Sequence, residues 1–126
     1  MTQRDNRPKF LNLLHIRFPV GAVTSIAHRL SGIVLFLALP LGAYVLDLSL
    51  RNPAGFEQAG KLLTQPVVRL VLVLLAWSVS HHLLAGIRFL LLDLGIGLAR
   101  TAARRMAWLV NLLAPVFALA LLWRWW

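Results

Sequence analysis

The sequence predicts an all-α membrane protein with three transmembrane helices, its N-terminus inside and its C-terminus outside. Of its 126 residues, 60% are hydrophobic, and the mean hydropathy of +0.76 is too high for an ordinary soluble domain. The apolar residues form three long runs, each comparable with the roughly 20 residues that a helix needs to cross a bilayer. Basic residues lie mostly in the short segments beside these runs. We therefore expect residues 1–126 to form a single membrane domain.

The first span is predicted over about residues 21–48, after a polar and basic N-terminal segment, residues 1–20. The apolar run from Leu30 to Leu46 is about 26 Å long as a helix, so it needs the preceding turns to cross a bilayer. Asp47 marks its far edge. We expect the N-terminal segment to lie in the cytoplasm, where its basic side chains hold it at an anionic lipid surface.

The second span is predicted over about residues 67–94. Pro66 suits the first turn of this helix, and Gly95 and Gly97 suit its end. The preceding loop, residues 49–65, has room for a short amphipathic helix around residues 56–63.

The third span is predicted over about residues 106–124, after a loop that carries Arg100, Arg104 and Arg105. Tryptophans concentrate at its two ends, as in the aromatic belts of the membrane interface. They are Trp108 at one end and Trp123, Trp125 and Trp126 at the other.

The orientation follows from the distribution of the 13 Lys and Arg residues, which outnumber the 4 Asp and Glu residues and give a net charge of +9. Nine lie on one side of the predicted membrane: Arg4, Arg7, Lys9, Arg17, Arg29, Arg88, Arg100, Arg104 and Arg105. Four lie on the other: Arg51, Lys61, Arg69 and Arg124. Because cytoplasmic segments carry the excess of basic residues, the N-terminus is predicted inside.

The net charge of +9 also indicates which kinds of molecule the chain binds. In a soluble protein it would suggest nucleic acid, but beside apolar spans it favours membrane lipid, and we expect no nucleic acid. The chain contains no cysteine, which excludes disulfides and any iron–sulfur cluster or Cys-ligated zinc carried by this chain alone. Any redox cofactor must therefore be held by histidine or by a partner.

A first group of polar residues lies near the inner edge of the first span. Ser25, His28, Arg29 and Gly32 fall at i, i+3, i+4 and i+7, which is one face of a helix. A hydroxyl, an imidazole and a guanidinium on one face can hydrogen-bond a carbonyl or a carboxylate at the membrane boundary. A helix start with a snorkelling arginine explains the same residues, and the spacing leaves both interpretations open.

A second group lies inside the second span, where Ser80 is followed by His81 and His82. His82 is about 16 Å along the helix from Asp93, at the depth of the hydrocarbon, where polar groups are costly and normally face a partner or cofactor. A neutral imidazole is a good iron ligand, and Gly86, one turn on, lets a flat group approach closely. His81 points about 100° away and is the weaker candidate. One histidine cannot supply both ligands of a bis-histidine haem, so the second is expected on another chain.

The two groups together resemble the signatures of a known family, the cytochrome b subunit of succinate dehydrogenase, which is the larger membrane anchor of succinate:quinone oxidoreductase (complex II). The first matching motif is Ser25-Ile26-x-His28-Arg29-x-Ser31-Gly32. The second is His82-x-x-x-Gly86-Ile87-Arg88-x-x-x-x-Asp93. The resemblance covers most of the chain, with the motifs in the right order.

This resemblance implies a subunit that is not catalytic alone, in the bacterial cytoplasmic (inner) membrane. It would pair with a second, smaller membrane anchor and dock an iron–sulfur subunit and a flavoprotein subunit that oxidises succinate in the tricarboxylic acid cycle. His82 would be an axial ligand of haem b, shared with the second anchor. Ser25 and Arg29 would line the ubiquinone site, and His28, Arg29 and Arg88 would lie near the haem propionates.

The chain departs from the family pattern at one position, because many relatives have histidine where this chain has Phe89. Two other functions fit the same three spans. A haem-free docking anchor would keep the same fold, and a small transporter or proton relay would use His81, His82 and Arg88. The relay would need acidic partners, and Asp47 and Asp93 lie only at the edges of the spans.

Overall fold

The computed structural model describes residues 18–123, which form four α-helices and contain no β-strand. The helices are α1 (Val20–Arg51), α2 (Pro53–Leu63), α3 (Pro66–Asp93) and α4 (Arg100–Leu122). Three of them, α1, α3 and α4, are long and apolar enough to cross a membrane. The predicted all-α fold with three spans is therefore confirmed. The orientation of the termini stays a prediction, and residues 1–17 and 124–126 lie outside the described residues.

The link between α1 and α2 is a single residue, Asn52. Its side-chain oxygen accepts a hydrogen bond from the backbone N–H of Gly55 at 2.8 Å, and Pro53 occupies the first turn of α2. Gly55 is buried against α1. The short helix expected around residues 56–63 is thus present and begins three residues earlier, at Pro53.

The turn between α3 and α4 depends on two glycines with positive φ, 81° at Gly95 and 80° at Gly97. The N–H of Ile96 donates to the carbonyl of Leu91 at 2.9 Å, and that of Gly95 donates to Leu92 at 3.0 Å. This pattern is a Schellman motif, which satisfies the last carbonyls of α3. The predicted end of the second helix at these glycines is therefore correct.

The last helix begins earlier than the sequence indicated. The three arginines that the sequence predicts in a loop lie instead in the first two turns of α4, which starts at Arg100. Arginine is a good helix former, so α4 continues beyond its apolar segment, which begins near Met106.

Side chains in the bundle are sorted by size and polarity. The buried apolar residues are small and lie mainly between α3 and α4: Ala85, Ala107, Val110, Ala114 and Ala118. The buried polar residues are Thr24, Ser31, Ser78, Ser80, His81 and Arg88. Large apolar side chains point outward, and that of Phe36 is 71% exposed. Small residues allow close helix packing in membranes, and polar groups turn inward because lipid tails offer no hydrogen bonds.

The contact between α1 and α2 predicts an effect of substitution at Gly55. A Cβ atom there would meet the backbone carbonyl oxygen of Leu48 at less than van der Waals separation. Gly55→Ala should therefore destabilise the protein by about 1–3 kcal/mol, measured as a lower midpoint of thermal unfolding. Gly60→Ala on the same helix is the control, because a Cβ there has no neighbour within 4 Å. Equal midpoints for the two variants would contradict the close contact.

The predicted orientation is testable because the chain lacks cysteine, so single cysteines can be introduced. Gln58 on α2 and Ala99 in the α3–α4 turn are both exposed and lie at opposite ends of the bundle. In intact cells, a membrane-impermeant maleimide should label Gln58→Cys and leave Ala99→Cys unlabelled. The reverse labelling pattern would show that the N-terminus lies outside.

Candidate functional site

The two histidines from the two sequence motifs meet between α1 and α3. The rings of His28 and His82 are stacked, with centroids 4.1 Å apart and an angle of 12° between their planes. Gly32 makes this approach possible. A Cβ on Gly32 would lie 3.0 Å from Cε1 of His82, and one on Gly86 would lie 3.7 Å from Nε2 of His28. A side chain at Gly32 would therefore displace the His82 ring.

The hydrogen bonds of His82 determine which ring nitrogen carries its proton. Its Nδ1 lies 3.1 Å from the backbone carbonyl oxygen of His28 and 3.3 Å from Oγ of Ser31. A carbonyl oxygen can only accept, so Nδ1 is the protonated nitrogen and Nε2 keeps its lone pair. The Ser31 hydroxyl donates to the same carbonyl at 2.8 Å. His82 is therefore held in the tautomer and orientation in which Nε2 can bind a metal.

The stacked rings line one wall of an open groove of about 420 Å³. The groove residues are His28, Arg29, Gly32, Ile33, Phe36 and His82. The structure thus brings together three of the residues that the sequence singled out, His28, Arg29 and His82. Ser25 is half-buried one turn before Arg29 and does not line the groove.

His81 and Arg88 lie on a different face of α3, toward α4. His81 is 2% exposed, and its Nε2 is 3.2 Å from Oδ1 of Asn111. Arg88 is 7% exposed and donates from Nη2 to the carbonyl of Ala103 at 3.2 Å. Neither residue lines the groove. The structure therefore separates Arg88 from the other expected propionate contacts, and this role for Arg88 stays a prediction.

The surroundings of His28 and His81 include Phe89, the departure from the family pattern, and also Thr24 and Asn111, which sequence reasoning missed. Phe89 packs its ring against that of His28 at 5.3 Å with a 67° angle between the planes. Thr24 and Asn111 form hydrogen bonds between helices deep in the bundle. The sequence did contain a signal for Thr24 and Asn111, because a polar residue within an apolar span normally has a hydrogen-bonding partner. Identifying that partner required the arrangement of the helices.

Among residues 18–123, no three or more His, Cys, Asp or Glu side chains are grouped closely enough to hold a metal ion. Of the two imidazoles in the groove, that of His82 has its Nδ1 bound to a carbonyl oxygen, which leaves Nε2 as a donor for a metal. This donor suits a planar metal cofactor that already supplies most of the metal's ligands.

Comparisons with known proteins place the chain in a family. The family model of the succinate dehydrogenase/fumarate reductase transmembrane subunit matches residues 3–121. A protein of Coxiella burnetii, named succinate dehydrogenase cytochrome b556 subunit, is 35% identical over 121 residues, which cover 94% of this chain and 97% of that protein. A protein of Paracoccus denitrificans with the same name is 34% identical over 95 residues, which cover 75% of this chain and 73% of that protein.

The Rickettsia bellii protein of the same name is 28% identical over 119 residues, 94% of this chain and 92% of its own length. The match to the family model spans all three apolar helices and both histidine motifs. The chain therefore belongs to the family of succinate dehydrogenase/fumarate reductase transmembrane subunits.

Proposed function

We propose that this chain is the haem b-binding anchor of a succinate:quinone oxidoreductase and helps to form its ubiquinone site. As a family member it is a multi-pass subunit of the inner membrane and is not catalytic alone. The observation that carries the haem proposal is the state of His82. Its Nδ1 is bound by the His28 carbonyl and Ser31, and its Nε2 is left as a lone-pair donor beside an open groove.

The residues present fit a haem on three counts. The His82 tautomer leaves Nε2 with the lone pair that iron would bind. Gly32 keeps the space beside the ring free of a side chain. Ile33 and Phe36 give the groove an apolar wall. Haem iron bound there would accept and return one electron. His82 would hold and orient the iron, and the His28 carbonyl would raise the basicity of Nε2 of His82 by accepting the Nδ1 hydrogen bond.

The charged end of such a cofactor would need cations at the membrane boundary. His28 and Arg29 lie in the groove itself, and we propose them as propionate contacts, with Arg88 as a third. Arg88 would have to act from the side of the helix that faces Ala103, because its guanidinium is bound there. It is therefore the weakest of the three assignments.

The groove is open on one side, and this supports a cofactor shared between chains. Among the described residues, the histidines that line the groove are His28 and His82, and their rings are stacked on one another. A second membrane anchor that supplies the other axial histidine would also cover the open side. We propose such a subunit as the lateral partner, and the iron–sulfur and flavoprotein subunits as partners on the inner face.

Quinone reduction would use Ser25 and Arg29, one turn apart near the N-terminal end of α1. Negative charge develops on a quinone carbonyl oxygen as electrons arrive, and fixed donors aimed at that oxygen lower the barrier. The Ser25 hydroxyl and the Arg29 guanidinium are such donors. The exposed side chain of Arg29 faces the groove, which places this donor within a helical turn of the proposed haem site.

The haem proposal predicts different outcomes for two neighbouring histidines. His82→Leu should abolish the haem b signal in the reduced-minus-oxidised absorption spectrum of the complex purified through this chain. His81→Leu should retain haem, because His81 is buried against Asn111 and away from the groove. Haem absent from the wild-type complex, or retained in His82→Leu, would refute the assignment.

The quinone proposal predicts that two activities separate. Arg29→Leu removes a charged donor, and such hydrogen bonds account for roughly a tenfold to hundredfold change in rate. Ubiquinone reductase activity should fall by that factor, while succinate oxidation with a soluble dye is unchanged. Arg51→Leu, at the opposite end of α1 and paired only with exposed Asp47, should leave both activities intact. Equal loss of both activities in Arg29→Leu would contradict a local quinone role.

A further inference from the structure

His81 is a buried histidine that the proposed haem and quinone sites do not use. Its side chain is 2% exposed, which is unusual for an imidazole within a membrane span. It lies on the face of α3 that packs against α4, with its ring tilted at 32° to that of Trp77 and 5.2 Å from it. A group this costly to bury normally has a structural or functional partner.

That partner is the side chain of Asn111 on α4, which connects all three spans through one atom. Its Oδ1 lies 3.2 Å from Nε2 of His81 on α3 and 3.2 Å from Oγ1 of Thr24 on α1. Thr24 is completely buried and also lies 3.0 Å from the carbonyl of Val20. We call Asn111, His81 and Thr24 the amide triad. Thr24 and His81 are both buried, so water does not compete for these hydrogen bonds.

The amide triad controls the direction of the neighbouring histidine because a helix rotates as a rigid body. Successive side chains on a helix point about 100° apart. With His81 directed at Asn111, His82 must face α1, where its Nδ1 meets the His28 carbonyl. A rotation of α3 that released His81 would turn His82 by the same angle, moving Nε2 relative to the groove.

The two contacts lie on different sides of α3 and act together. The His82 ring packs closely against α1, because a Cβ atom on Gly32 would lie only 3.0 Å from its Cε1 atom. The His28 carbonyl and Ser31 hold the near side of α3, and Asn111 holds the far side. Fixing a helix from two sides determines its rotation, which a contact on one side alone does not.

We propose that Asn111 is a positioning residue for the His82 ligand, acting through His81 and Thr24. This inference rests on the proposed haem function, because its effect is on the orientation of the His82 imidazole toward the iron. Asn111 itself does not line the groove. The role is thus distinct from ligation, and it assigns a function to His81 that requires no metal or proton transfer.

The test uses the purified complex and measures the haem signature rather than turnover. In low-spin ferric haem with two imidazole ligands, the largest g value in the EPR spectrum depends on the angle between the imidazole planes. Asn111→Ala and His81→Leu should retain haem but shift this g value and the haem midpoint potential. His81→Gln should return both toward wild type, because the glutamine amide can donate to Asn111 from the position of the imidazole Nε2.

Matched variants separate positioning from general damage. Leu112→Ala, next to Asn111 but exposed, should leave the g value and the potential unchanged. Thr24→Val should shift them and Thr24→Ser should not, because only valine removes the hydroxyl. If the Asn111→Ala complex fails to assemble, the two Thr24 variants still test the inference. Thr24→Val removes one hydrogen-bond donor to Asn111 and leaves the Asn111 side chain in place.

The outcomes distinguish failure of this inference from failure of the haem proposal. Unchanged g values and potentials in the assembled fractions of His81→Leu and Thr24→Val would overturn the positioning role while leaving His82 as a ligand. An equal shift in His81→Gln and His81→Leu would overturn it as well, because the hydrogen bond would then be irrelevant. Haem that persists in His82→Leu would instead refute the proposed function.

Discussion

The close approach of α1 and α3 at Gly32 is the constraint on which the candidate site depends. It allows two imidazoles from different helices to stack at 4.1 Å. It also brings the backbone carbonyl of His28 within hydrogen-bonding distance of the His82 ring, although helix carbonyls are normally occupied within their own helix. A larger residue at position 32 would separate the helices and remove both contacts together.

A second physical factor is the absence of water from the bilayer interior, which decides where the polar side chains go. Thr24, Ser31, His81 and Arg88 are all buried, whereas large apolar side chains face lipid. Ser31 of α1 and Asn111 of α4 hydrogen-bond to two different faces of α3, so polar contacts hold that helix from both neighbours.

The chain buries few apolar side chains of its own, and the open groove leaves apolar surface available for contact with other subunits of a membrane assembly. The buried apolar residues are alanines and one valine in the bundle, together with Ala59 of α2. Residues such as Ile33 and Phe36 remain exposed beside His82. In the proposed complex, haem and a second anchor subunit would cover this surface, so that ligation and subunit association reinforce one another.

Much of the architecture follows from the sequence alone. Three apolar runs of membrane length determine the spans, Gly95 and Gly97 determine the end of α3, and the two histidine motifs identify the family. These features depend on local composition and short-range spacing, which a single sequence contains. The start of α4 was placed late because arginine is polar, and polarity marks the end of an apolar run without marking the end of a helix.

The directions of the His81 and His82 side chains, the burial of Arg88 and the contacts of Asn111 depend on the tertiary structure. Adjacent residues have the same hydropathy pattern and the same depth, and only the positions of α1 and α4 around α3 distinguish their directions. Asn111 is 30 residues from His81 and 87 from Thr24 in the chain. Contacts at such separations are set by how the three helices pack and rotate, which no local spacing encodes.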